Sequence, residues 1–282
     1  MAEEQKAASP QSILLKDIPN ELVEAVIRDL GDYTVAFFDM EITQKANSNK
    51  LGLLGSGTLV SLGEKRAILT AHHVIKNLPT TGSVGVFLGP TNAPHSLEVQ
   101  ALTSLGMARG TNNSVGPDIG AIVLAPHIAD SIAAKKSFYN LGKRRDRLLG
   151  SPPVAESGFW MIQGFVAELS VMKPEWHGMT RFYYNFSALS SPSKSERIDA
   201  YDFFDILVSK TGVANAPRNW GGISGGGLWQ VELKRNEGVL ETCPPLLSGV
   251  AFYQAAPTES GYAVRCHGRE SIYRTLYDSI VK

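Results

Sequence analysis

A lone serine among glycines, GGISGGGLWQ at residues 221–230, is the stretch of this chain with the clearest chemical reading. Glycine loses more conformational freedom on folding than any other residue, so such a cluster is kept where the backbone turns tightly or approaches something closely. A flexible loop is the plain explanation. The chemical one is a loop whose N–H groups face a developing negative charge beside the Ser224 hydroxyl. A hydroxyl is a weak nucleophile until a base removes its proton. The usual base is a histidine, oriented by a buried aspartate.

The chain has six histidines. His95, His127, His177 and His267 stand alone in polar or loop-like contexts, which suit surface or core positions. His72 and His73 follow the apolar run Ala67-Ile68-Leu69 through Thr70-Ala71, where a strand end could hold them. Adjacent residues of an extended strand face opposite ways, so the pair does not converge on one ion. No Cys, His or Glu stands nearby at ligand spacing, and neither a metal nor an organic cofactor is expected. Asp118 follows Pro117 and opens a second apolar run, Ile119-Gly120-Ala121-Ile122-Val123-Leu124. Alone it reads as a turn residue. Beside a histidine it reads as the orienting carboxylate.

These groups need elements to position them. Residues 1–16 read as a loose arm. A helix follows, with Asn20 as N-cap, Leu22, Val23, Val26, Ile27 and Leu30 at helical spacing, and Gly31 as its end. Beyond it, short apolar runs alternate with Gly, Pro, Asn and Ser breaks: TVAFFDM (34–40), GSGTLVSL (55–62), RAILTA (66–71), VGVFLG (84–89), IGAIVLA (119–125), FWMIQGF (159–165), RFYYNFSAL (181–189), GLWQVEL (227–233) and LLSGVAFYQ (246–254). Many short strands divided by turns indicate a barrel or sandwich. Residues 127–149 break the pattern, with a helix expected over IADSIAAKKSFYNL and then a solvated basic run, Lys143 to Arg147. Gly150-Ser151-Pro152-Pro153 is the candidate linker, and ESIYRTLYDSIVK a terminal helix with Ile272, Leu276 and Ile280 on one face.

The 282 residues hold 27 basic and 27 acidic side chains, so nothing marks a nucleic-acid or anionic-membrane surface. The acidic-leaning start does not read as a secretory signal, and no run approaches the length of a membrane span. Two cysteines, Cys243 and Cys266, make no disulfide scaffold; free thiols and a cytoplasmic location are expected.

GSGTLV, AILTAHHVI, PDIGAIVL and GGISGGGLW, in that order, resemble the trypsin-like (chymotrypsin-fold) serine peptidases over about residues 33–255. The likeness is to bacterial, intracellular members that lack the secreted enzymes' disulfides. The resemblance implies an all-β fold of two six-stranded-type antiparallel β-barrels with peripheral N- and C-terminal helices. Residues 1–32 would be arm and helix, 33–150 the first barrel, and 151–282 the second barrel with the terminal helix. His73 would be the base, Asp118 its orienter and Ser224 the nucleophile, with the N–H groups of Gly222 and Ser224 as oxyanion hole. Phe252, Tyr253 and Gln254 would face the substrate, and Arg218 would floor the first specificity pocket. His72 takes a place usually held by a small residue. Ile223 stands where secreted members carry Asp, so no activation by N-terminal cleavage is expected; the loop is competent as made, or a regulatory protein partner orders it.

The function expected is cleavage of a protein or peptide substrate through an acyl-enzyme. The alternatives are a peptide-binding module of the same fold with little turnover, and an ester hydrolase.

Overall fold

The computed structural model describes residues 17–40, 52–89, 95–108, 115–175, 178–182, 184–209, 217–255 and 261–282. The expected arm over residues 1–16, and His177, lie outside them. Helix α1, Asn20–Gly31, buries Val26 and Leu30 and ends at Gly31 as its spacing predicts. Asn20 is its first helical residue rather than its cap; Pro19 holds the cap position and makes no side-chain cap bond. Lys136 Nζ, 2.7 Å from the Gly31 carbonyl, satisfies one of the orphan acceptors at the helix end.

The first sheet contains β1 (Thr34–Asp39), β2 (Leu53–Leu62), β3 (Lys65–Thr70), β4 (Ser83–Phe87), β5 (His95–Glu98), β6 (Thr103–Ala108) and β7 (Asp118–Val123), in spatial order β5-β4-β1-β2-β3-β7-β6. It curls as a half-barrel and is antiparallel throughout, apart from the two-residue β8 (Tyr139–Asn140), which lies parallel to β2. A short helix, α2 (His72–Lys76), follows β3.

The segment after β7 differs from expectation. Helix α3, Pro126–Ala133, stops well short of Leu141, because Tyr139 is drawn into the sheet as β8. The basic run lies on helix α4, Gly142–Gly150; Lys143 and Arg147 are exposed, as a solvated run would be, while Arg145 docks. Arg145 donates to the Tyr273 carbonyl at 2.7 Å and to Asp278 at 2.8 Å.

Residues 151–157 lead into the second sheet: β9 (Gly158–Phe165), β12 (Asn185–Ile198), β13 (Tyr201–Ser209), β14 (Gly227–Asn236), β15 (Val239–Thr242), β16 (Leu246–Gln254) and β17 (Gly261–His267), with β10 (Val171–Glu175) and β11 (Gly178–Phe182) forming a separate hairpin. The order β14-β16-β17-β13-β12-β9 closes on itself, since β9 also pairs with β14, giving a six-stranded ring. The all-β architecture read from the sequence is therefore present, and two curled antiparallel sheets are compatible with a chymotrypsin-like arrangement.

Several strands carry no continuous apolar run. In β13 Phe203 is buried on one face and Ile206 and Val208 on the other, while Asp205 meets Arg265 of β17 directly across the ladder at 2.8 Å. The terminal helix begins as a π turn, Ser271–Leu276, and continues as α5, Tyr277–Val281. Ile272, Leu276 and Ile280 are buried, as their spacing predicts. They join Val26 and Leu30, Leu62 and Leu69 of the first sheet, and Phe159, Trp229 and Val231 of the second in one core, so the two sheets are not independent globules. Tyr33, Tyr139 and Trp229 meet within 5.1–5.6 Å at that junction.

Candidate active site

His73 and Asp118 come together. Thr70 ends β3, Ala71 is still extended, and α2 then starts at His72. The histidines thus lie on the first helical turn, not on the strand. The orphan N–H of His73 donates to Asp118 Oδ1 at 2.8 Å, while its ring Nδ1 meets Asp118 Oδ2 at 2.6 Å. Two contacts to one carboxylate fix both the backbone and the ring of His73. The Asp118 side chain is 4% exposed. Burial pushes its carboxyl up, but the hydrogen bonds from the His73 ring and N–H outweigh that and hold it below the ordinary range. It is therefore an anion that favours a proton on Nδ1 of His73 and leaves Nε2 as the basic atom.

His72 points elsewhere. Its ring packs against Gly106 of β6, and its Nδ1 is buried without a partner among the described residues. Burial, then Lys76, hold its ring below the usual imidazole range. The doubled histidine therefore resolves: His73, not His72, is oriented by Asp118.

Ser224 lies partly exposed in the loop between Pro217 and β14. Its backbone is tied to β2: Ser56 N–H donates to the Ser224 carbonyl at 2.8 Å. Its Oγ donates to the Phe252 carbonyl of β16 at 3.4 Å, a long bond. Gly225 has φ +90°, and a Cβ there would collide with Ser56 O and with the Thr70 hydroxyl, three residues from His73. The serine loop thus abuts the end of the strand that leads into the histidine's helix.

Hydrogen bonding along this loop is selective. The N–H groups of Arg218 and Asn219 donate to Glu168, that of Trp220 to Gln254 Oε1, and that of Gly221 to Asn219 Oδ1. Those of Ile223, Gly225 and Gly226 reach the carbonyls of Trp220, Ala251 and Ile223. Among the described residues, the N–H groups of Gly222 and Ser224 alone in residues 218–226 have no acceptor. Their directions are set from the far side of each peptide unit. Gly221 O accepts from Ala167 N–H at 2.8 Å, and Ile223 O accepts from Gly226 N–H at 2.8 Å. In a trans peptide the N–H points opposite to the C=O, so both free donors are held turned away from those contacts. Gly222 has φ +99°, which a side chain would strain, and a Cβ there would lie 2.9 Å from Phe165 O. Two fixed, unsatisfied N–H groups beside a hydroxyl are suited to receive an oxyanion.

Ser56 holds the peptide between them. Its hydroxyl donates to Gly222 O at 2.6 Å and accepts from Phe165 N–H at 2.7 Å. Sequence reasoning placed GSGTLV as a strand and missed this role; the serine flanked by glycines was its only local signal. Ile223 is 2% exposed in an apolar cluster with Trp160, Ile162 and Val166, so packing, not an ion pair, seats that position.

The expected substrate-facing residues divide. Tyr253 and Gln254 are partly exposed, whereas the Phe252 side chain is buried and its carbonyl is the group that reaches Ser224 Oγ. A register shift between Ala251 and Tyr253 turns the Phe252 ring inward to Phe203 and His267. Gln254 bridges the loop, accepting from Trp220 N–H at 2.9 Å and donating to Arg218 O at 3.4 Å. Arg218 is exposed, at the surface rather than on an enclosed floor. Cys243 and Cys266 are free thiols; Cys266 is fully buried, which pushes its thiol up.

No family model matches the chain, and no curated protein matches it. One similar solved structure is described in the words "Aromatic interactions drive the coupled folding and binding of the intrinsically disordered Sesbania mosaic virus VPg protein". It aligns over 86% of this chain and 88% of its own, at 14% identity and a TM-score of 0.43, a likeness too distant to carry an argument about function.

Proposed function

We propose that the chain is a serine peptidase of the trypsin-like class, as its sequence motifs imply. The observation that carries the reading is the loop at residues 218–226 in which, among the described residues, only the Gly222 and Ser224 N–H groups lack an acceptor, and which packs at Gly225 against Thr70, three residues before the Asp118-bound His73. In the proposed reaction Ser224 Oγ leaves the Phe252 carbonyl, gives its proton to His73 Nε2 and attacks the carbonyl carbon of a peptide bond. The developing oxyanion takes the Gly222 and Ser224 N–H groups. The imidazolium, stabilised by Asp118, then protonates the leaving amine, and water repeats the steps to release the acyl group. Pre-set donors matter because one of them typically contributes about 3 kcal/mol to the barrier reduction. The substrate is a protein or peptide chain. A cytoplasmic location remains part of the proposal; among the described residues, no helix is long and apolar enough to cross a membrane.

One observation favours a second reading. Ser224 Oγ donates to Phe252 O, and among the described residues it has no bond to His73; a serine not engaged by its base would suit a peptide-binding module with little turnover. A fluorophosphonate probe separates the two, since only an activated serine reacts readily. The peptidase reading expects labelling of the native chain that Ser224→Ala and His73→Ala abolish. A native chain that binds peptide and stays unlabelled supports the binding module.

A further inference from the structure

His267, at the end of β17, is fully buried and takes no part in the reaction proposed above. It lies 149 residues from Asp118 in the chain, yet its Nε2 accepts the Asp118 N–H at 2.8 Å. Its Nδ1 faces the Ser271 hydroxyl at 3.2 Å. An acceptor at Nε2 requires the tautomer with its proton on Nδ1, so Nδ1–H donates to Ser271 Oγ. Ser271 Oγ passes its own hydrogen to Asp202 Oδ1 at 2.8 Å. The Asp202 carboxylate also takes the N–H groups of Glu270 and Ser271, at 3.1 and 2.7 Å, and so caps the terminal helix from a distance. The ring is packed by Phe203 and Phe252 at 4.9 and 4.8 Å between centroids. Phe252 is the residue whose carbonyl holds Ser224 Oγ.

We propose that His267 is a positioning residue: as a neutral acceptor anchored through Ser271 and Asp202 to the terminal helix, it holds the Asp118 backbone so that one carboxylate reaches both the N–H and the ring of His73. The proposal rests on the peptidase reading for its effect on rate, but not for its effect on geometry. Asp118 is the first residue of β7. Its carboxylate must meet two groups of His73 at 2.8 and 2.6 Å, which leaves little room for a shifted main chain. Removing the Nε2 acceptor strands a buried N–H at the root of that side chain and frees it to move. Misplacement of a catalytic group by about 1 Å can cost about 100-fold in rate. Burial also pushes the His267 ring down to about 3, which keeps it a neutral acceptor at ordinary pH.

The test uses the full chain with His267→Phe, which keeps an aromatic ring and loses the acceptor, and His267→Gln, whose Oε1 can replace Nε2. Two quantities are read: steady-state kinetics on a cleaved peptide, and the downfield NMR signal of the His73 Nδ1 proton shared with Asp118. His267→Phe should lower kcat by about 10- to 100-fold with KM little changed, and should move or broaden the proton signal. His267→Gln should restore most of both. Ser271→Ala, which unseats the tautomer without touching the ring, should produce a smaller change of the same kind and stands in if His267→Phe fails to fold. An unmoved His73 proton and unchanged kcat in the folded variants overturn the proposal, as does a glutamine variant no better than phenylalanine. If no variant or native chain cleaves peptide, yet the proton moves in His267→Phe and returns in His267→Gln, the positioning role stands and the peptidase reading fails.

Discussion

Replacing Ser56 by alanine tests whether the free donors of Gly222 and Ser224 are held by this one hydroxyl. Ser56 is fully buried, so water cannot enter to replace it. Two contacts are lost: the bond to Gly222 O at 2.6 Å and that from Phe165 N–H at 2.7 Å. Each buried group left without its partner costs about 1–3 kcal/mol, so the chain should lose about 2–4 kcal/mol of stability after partial relaxation. The larger effect is on the loop. With Gly222 O unheld, the peptide between the two donors can rotate, and their alignment goes with it. Loss of one such donor costs about 100- to 1,000-fold in kcat. Urea unfolding measures the first quantity, and the rate of fluorophosphonate labelling of Ser224 the second. Ile280→Ala is the control: it empties a core site in α5 away from the loop, should cost about 2–5 kcal/mol, and should label at the native rate. A Ser56→Ala chain that labels as fast as the native one would refute the argument that this hydroxyl sets the loop.

Ser224→Ala, His73→Ala and Asp118→Ala should each remove about four or more orders of magnitude of kcat without adding in combination, because the three act as a unit; His72→Ala, with its ring against Gly106, should cost far less, and peptide kinetics decide. His267 is lowered from 6.5 to about 3 in the folded chain, so the unfolded chain binds the proton first as acid is added. Its contribution is complete above about 6.5 and is lost as pH falls towards 3; urea midpoints of the native chain should drop more steeply over that window than those of His267→Gln. Trimming the chain at residue 10 should leave probe labelling unchanged. Trimming at residue 32 removes Val26 and Leu30 from the shared core and should lower the melting temperature by many degrees; strong labelling that appears only after trimming would revive activation by cleavage.

The sequence by itself determined the residue types that can do chemistry and much of the strand pattern. Thr70-Ala71-His72-His73 after one apolar run, Asp118 before another and Ser224 among glycines were legible because each sits in a distinctive local context. Strands with continuous apolar runs were legible for the same reason. β13 and β17 were not, because Asp205 and Arg265 interrupt their patterns and become intelligible only when paired across the ladder. Nor was the break between α3 and α4, where pairing of Tyr139 with Val60 overrides helical spacing. Which histidine faces Asp118 was decided by the start of α2, a matter of backbone direction that local types leave open. The groups that hold the site in place came only from the tertiary structure. Ser56 and Gly222 are 166 residues apart, and His267 and Asp118 are 149 apart. A single serine or histidine inside a strand carries no periodic signal of its partner. Its role arises only when two sheets and the terminal helix share one core and bring its polar atom to a buried peptide group that has nothing else to bond.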